Sequence, residues 1–187
     1  MPAILTVLVN RRREDHHMTE TKLDQERADL LEALDKHRTL FRHTADGLTD
    51  EQAAATPTTS ELCVGGLIKH VTRVQSRWLD FLTEGAAAMA MDENSYADHT
   101  NSFRLLPGET LASVLAGFDD VSRRTDALVE SVPDLDACQP LPEAPWFEPG
   151  AEWSARRVFI HIIAETTQHA GHADIIRETI DGQKTMG

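Results

Sequence analysis

Residues 161–172 read His161-Ile-Ile-Ala-Glu165-Thr-Thr-Gln-His169-Ala-Gly-His172. Ser154 offers an N-cap ahead of this stretch, and Gly182 follows Asp181 behind it, so the stretch lies inside one long helix predicted to run from just after Ser154 to Asp181. At about 100° per residue, Glu165, His169 and His172 fall roughly 40°, 80° and 20° from His161, and all four share one stripe. Three imidazoles and a carboxylate are costly to remove from water unless something pairs with them. A divalent cation is the simplest single partner.

Three further helical patterns precede this one. From Thr21 to Asp46, Leu23, Leu30, Leu31, Leu34, Phe41 and Ala45 recur at helical spacing, with Gly47 just past the end. Thr49-Asp-Glu-Gln52 has the capping-box pattern of a short turn, and Pro57 closes that connection. The second long helix is predicted from near Ser60 to about Glu84, stopping before Gly85, with Leu67, Val71, Val74, Trp78 and Leu82 on its buried side. The third runs from Thr110 to about Val132 and ends at Pro133. Residues 85–109 lack periodicity and are too long for a tight hairpin, so they read as a crossover that lets helices two and three run parallel. Residues 133–152 hold five prolines, with Trp146, Phe147 and Trp153 close by, and read as an extended loop with apolar anchors, either a pocket lid or a hydrophobic plug. No segment shows convincing strand alternation. The expected fold is therefore all-α, a four-helix bundle of the kind whose core holds ligands projecting from facing helices. Residues 18–187 form its single domain, and residues 1–17 read as an appendage, disordered or upstream of a natural start at Met18. The competing reading of the appendage is an extra strand at residues 3–9.

Glu165 and His169 stand four apart, so both side chains can converge on one ion. A third ligand must come from another helix, and His70 is the histidine of helix two, flanked by Leu67, Val71 and Val74. Three protein ligands leave an open position for water or substrate, which suits catalysis better than a structural role. His172 is assigned the catalytic, proton-moving role, which His161 could share, with a fourth ligand, an outer partner of the site or an unrelated residue at the pocket rim as the other readings of His172. His161 reads as a packed histidine or a support one turn before Glu165. His37, His43, His99, His16 and His17 read as surface or boundary residues. Cys63, about 10 Å along the helix from His70, is too far to share an ion easily and reads as a small buried residue, with an activated thiol at a helix N-terminus as the other reading. Trp78 reads as core.

The 187 residues carry 18 Lys+Arg against 31 Asp+Glu, a formal charge of −13 that repels polyanions, so nucleic acid is not an expected partner. With 41% hydrophobic and 5% aromatic residues the chain is rich enough to fold, and it contains no apolar run of membrane-spanning length. Two cysteines exclude a disulfide scaffold and a four-cysteine zinc module, and favour a reducing cytoplasm.

The segment Gly66-Leu-Ile-Lys-His70-Val, together with Glu165-x3-His169-Ala-Gly-His172-Ala-Asp174 and the following Ile-Ile-Arg177-Glu178, resembles the DinB-like superfamily of metal-binding four-helix bundles. The likeness covers about Met18 to Gly182 and is strongest to the actinobacterial members related to mycothiol-dependent maleylpyruvate isomerase and the mycothiol S-transferases. Many superfamily members have His-x3-His in the last helix. The Glu-x3-His here points to the isomerase-like branch and leaves the role of His172 open. The resemblance implies up-down-down-up topology, a divalent metal (zinc first, nickel second), a homodimer, and a low-molecular-weight thiol as co-substrate. The expected function is a metal-dependent thiol S-transferase in which His70, Glu165 and His169 hold the ion and a mycothiol-like thiol is passed to an electrophile. The competing expectations are a metal-dependent hydrolase and a noncatalytic, metal-binding, stress-associated dimer.

Overall fold

Each long helix begins on a side chain that accepts a hydrogen bond from its own first turn. In the computed structural model, which describes residues 23–90 and 92–185, these caps are Asp24 for α1 (Gln25–His43), Cys63 for α3 (Val64–Glu84), Thr110 for α5 (Leu111–Ser131) and Ser154 for α6 (Ala155–Asp181). Such bonds satisfy backbone N–H groups that have no partner within the helix. The appendage, the possible strand at residues 3–9 and His16 and His17 lie outside the described residues. The short helix α2 (Asp50–Ala54) has the capping box expected from its sequence: Thr49 Oγ1 accepts from the Gln52 amide at 3.2 Å, and Gln52 Oε1 from the Thr49 amide at 3.0 Å.

The elements differ from expectation at several points. Residues 23 and 24 precede α1, which starts four residues later than Thr21 because Asp24 takes the cap. Helix α3 starts at Val64 instead of near Ser60, because Ser60 Oγ is engaged in a local turn with the Leu62 amide and Cys63 Sγ caps instead. The crossover is not featureless: it contains a 3₁₀ turn, Ala86–Met89, and helix α4, Ser95–Ser102. Within the proline-rich segment, β1 (Cys138–Pro140) pairs antiparallel with β2 (Glu152–Ser154), Cys138 opposite Ser154. Strands of three residues are too short to show the alternation by which strands are read.

The directions of the four long helices follow from their contacts. Glu26 at the start of α1 pairs with Arg156 at the start of α6, and Arg177 near the end of α6 reaches Thr44 and Asp46 just past the end of α1, so these two run parallel. Lys69 pairs with Glu109 just ahead of α5, and Asp80 with Arg124 further along it, so α3 and α5 also run parallel. Helix α5 opposes α1, since Arg27 donates to the Val132 carbonyl at 2.7 Å while Arg42 pairs with Asp119 at 2.8 Å. Helix α6 opposes α3, with Trp78 beside His161 and His70 beside His169. The bundle is up-down-down-up. Helix α1 packs on α6, α6 on α3, α3 on α5 and α5 on α1.

The core has two clusters. One surrounds Phe41 and Phe118, which meet edge to face at 5.6 Å, and the other Trp78, Phe81, Phe159 and Ile162. Each such side chain contributes about 1.5–3 kcal/mol through burial. Arg177, only 4% exposed, donates to the Thr44 and Asp46 carbonyls at 3.0 and 2.8 Å and pairs with Asp181, satisfying acceptors left over where α1 ends. No helix among the described residues is long and apolar enough to cross a membrane.

Helix α3 touches the crossover backbone at Gly66. A Cβ at this position would stand 1.9 Å from the Phe103 carbonyl oxygen, which no side-chain rotation relieves. Gly66→Ala is therefore expected to lower the unfolding free energy by about 1–3 kcal/mol, measured by urea denaturation. A midpoint equal to that of the unaltered protein would show that the crossover is not seated on α3 in this way.

Candidate metal centre

Glu165 and His169 project from successive turns of α6, and His70 meets them from the antiparallel α3. One nitrogen or carboxylate oxygen from each lies within 4.8 Å of the other two. His169 Nε2 is 3.5 Å from Glu165 Oε2, and the His70 and His169 rings meet edge on, with centroids 5.0 Å apart. His70 is 5% exposed, whereas the Glu165 and His169 side chains keep 24% and 12% of their surface. The group is thus rooted in the core and reachable from one side.

The crossover fixes the His70 ring. Ser102 Oγ donates its single proton to the His99 carbonyl at 2.6 Å, so it can only accept from His70 Nδ1, 2.9 Å away. That places the ring proton on Nδ1 and leaves the Nε2 lone pair free. Phe103 stacks on the same ring at 3.8 Å, nearly parallel. Burial, reinforced by the neighbouring His169, pushes the His70 pKa down to about 4, against the opposing pull of Glu165. The Glu165 carboxyl is held below its usual range, first by its hydrogen bond with His169 and against the opposing effect of burial. At neutral pH the donors therefore include a neutral imidazole with a free lone pair and a carboxylate. Two imidazoles and one carboxylate suit a borderline divalent ion such as zinc or nickel, so the residues present fit the group their pattern implies.

The other histidines divide. His161, whose pKa burial lowers, packs edge on against both Trp78 and Trp153 with ring centroids 5.0 and 5.1 Å away, and its Nε2 is 3.7 Å from Glu165 Oε1. It is both a packed residue and a neighbour of the carboxylate. His172 stands outside the group of three, with its Nδ1 3.4 Å from His169 Nδ1, so it meets the ring nitrogen that does not face Glu165. His43 is exposed and pairs with Asp46. Cys63 is buried, as expected, with Sγ accepting from the Gly66 amide at 3.3 Å.

His99, Ser102 and Phe103 belong to the site's surroundings, and sequence reading did not find them. His99 is exposed, as a surface residue should be, yet its ring lies edge on to His70 at 5.6 Å. All three sit at the end of the crossover, where no period marks an inward face. The one signal was Gly66, whose missing side chain admits that backbone.

His70 and Glu165 open onto a cavity of about 740 Å³ between α3, the crossover and the proline-rich segment. Trp78 is buried as core but also forms part of its wall, stacked on Trp153 at 4.6 Å. Phe147 and Trp153 pack against each other at the cavity, while Trp146 stands 63% exposed beside it. The loop is therefore a wall with an open rim.

The protein is thus a helical bundle in which three donors that could hold a metal ion, His70, Glu165 and His169, lie beside a sizeable cavity. Residues 29–182 match the family model for mycothiol S-transferases, and the chain belongs to that family. A conserved protein from Enterococcus faecalis, known from its crystal structure, shares the fold at 17% identity and a TM-score of 0.58, the alignment covering 83% of this chain and 97% of that one. No curated protein matches the chain.

The neutral state of His70 sets a pH dependence. Its folded pKa of about 4 lies below the value near 6.5 of an unfolded histidine, so between these limits the unfolded chain binds the extra proton. Stability of the metal-free protein is expected to be full above pH 6.5 or so and to fall as pH drops toward 4, by up to about 3 kcal/mol from this group. Urea midpoints measured across that range in EDTA should fall less steeply in His70→Gln. An identical slope would show that His70 is not held neutral by the fold.

Proposed function

We propose that this protein is a divalent-metal-dependent S-transferase that passes mycothiol, or a closely similar thiol, to an electrophile, with His70, Glu165 and His169 as the protein ligands. The observation that carries the reading is the convergence of these three donors, from two antiparallel helices, beside a cavity of about 740 Å³ onto which His70 and Glu165 open. When bound, a divalent cation, zinc first and nickel second, supplies positive charge and an open coordination position that favours the thiolate form of a thiol.

The protein's own residues do the rest. Ser102 and the His99 carbonyl keep the His70 lone pair turned toward the other two donors. Glu165 contributes one negative charge, which leaves a dication with net positive charge. His161, neutral at pH 7 and on the cavity wall beside Glu165, is placed to take the proton that the thiol loses. His172, which reaches His169 and not the cavity lining, is assigned a positioning role, holding that ring through its second nitrogen. Trp78, Phe147 and Trp153 give the cavity an apolar wall against which an apolar part of the electrophile can pack. With a chlorinated electrophile, the sulfur forms a bond to carbon, the carbon–chlorine pair leaves as chloride, and the proton passes through His161 to solvent.

Protein purified without a histidine tag is expected to contain about one divalent ion per chain by mass spectrometry and to conjugate mycothiol to monochlorobimane. His169→Ala should lose both the ion and the activity; retention of both would refute the ligand assignment. Ser102→Ala, with His70 no longer held, should bind the ion roughly ten- to a hundredfold more weakly, measured by competition with a chromophoric chelator. Unchanged affinity would remove Ser102 from the site.

A further inference from the structure

Steps of three and four residues keep to one face of a helix, and on α3 that face carries His70, Arg73, Val74, Arg77 and Trp78 onto the cavity wall. The two arginines run against the character of a chain with 31 acidic residues to 18 basic ones. Of the carboxylates on the same wall, Glu165 belongs to the donor group, leaving Glu143. Neither arginine is matched closely among the described residues. Arg73 Nη2 stands 3.9 Å from Asp98, a carboxylate 63% exposed, so the contact is long and screened by water. Arg77 Nη2 donates to the Met89 carbonyl at 2.9 Å, a neutral partner. Arg77 stands four residues from Arg73 on this face, so two like charges are neighbours there, and burial, followed by the Arg73 charge, pushes the Arg77 pKa below the usual arginine value. A bound anion would relieve both charges, and arginine's planar set of donors matches a carboxylate.

Resting on the transferase reading, we propose that Arg73 and Arg77 form a subsite for the acid group of a carboxylate-bearing electrophile. Arg73 and Arg77 follow His70 by three and seven residues, roughly 5–10 Å along the helix. The acid group of a small molecule seated there leaves its reactive carbon beside the donor group. In addition to a maleimide, for example, the thiol sulfur bonds to one alkene carbon and the π pair moves to the other. That second carbon then takes a proton in place of the one the thiol lost.

3-Maleimidopropionate and N-ethylmaleimide share this chemistry and differ in charge. The comparison is made with mycothiol as the fixed thiol, in a Cys138→Ser background because the exposed Cys138 would consume maleimide. With each kcat/KM divided by the uncatalysed rate, the acid is expected to be preferred roughly ten- to a hundredfold. Arg73→Gln and Arg77→Gln should bring the ratio toward one, and Arg73→Lys should restore part of it. A ratio near one in the parent protein, or a ratio preserved in both glutamine variants, overturns the subsite.

Absence of turnover with either acceptor would count against the transferase reading, so binding is read separately. The unreactive 3-succinimidopropionate is titrated against the tryptophan fluorescence of the metal-loaded protein, with N-ethylsuccinimide as the neutral control. Tighter binding of the acid that is lost in Arg73→Gln supports the subsite with or without turnover. Equal binding of the two, or binding of neither, overturns it.

Discussion

The antiparallel packing of α3 against α6 is the constraint on which the rest of this molecule depends. It sets His70 against the turn of α6 that carries Glu165 and His169, and it sets Trp78 against His161 one level along the bundle. Were the helices parallel, the same side chains would be strung along the bundle instead of gathered at one level. Gathering them has a cost, because imidazoles and a carboxylate leave water at the bundle core. The fold meets part of that cost with hydrogen bonds and by lowering the His70 pKa to about 4, so that the ring is buried without charge.

The crossover between α3 and α5 turns this packing into a site. It seats its Phe103 carbonyl where Gly66 has no side chain, and in doing so delivers Ser102 to His70 Nδ1 and the Phe103 ring to the imidazole face. A long connection is required for two consecutive helices to run parallel, and here the same segment orients a donor and forms a cavity wall. The proline-rich segment before α6 supplies the opposite wall, pinned by β1–β2 pairing and by the stacking of Trp153 on Trp78. The rigid helices hold the donors, and the connections between them shape what can approach. That division of labour is common where loops on a fixed scaffold carry function.

Charge follows the same division. The acidic excess is spread over the outer faces, while α3 turns two arginines inward beside the donor group. A dication on the donors would add to that local positive potential, so the cavity of an acidic protein would attract anions.

The sequence by itself determined the four long helices, the Ser154 cap of the last one and the stripe of Glu165 and His169, because capping chemistry and helical period are local properties of the chain. It also singled out His70, since a polar ring among Leu67, Val71 and Val74 must face something. The length of the 85–109 connection allowed helices two and three to run parallel, and the family resemblance implied the full up-down-down-up topology. Tertiary structure alone decided which ends of the helices meet, and with that the convergence of His70 with the α6 pair, the separate place of His172, and the inward turn of Arg73 and Arg77. It also decided that Ser102 and Phe103, in a segment without periodicity, would complete the surroundings of His70. Their role depends on a contact between residues 66 and 103, and no local pattern encodes a contact across so much chain.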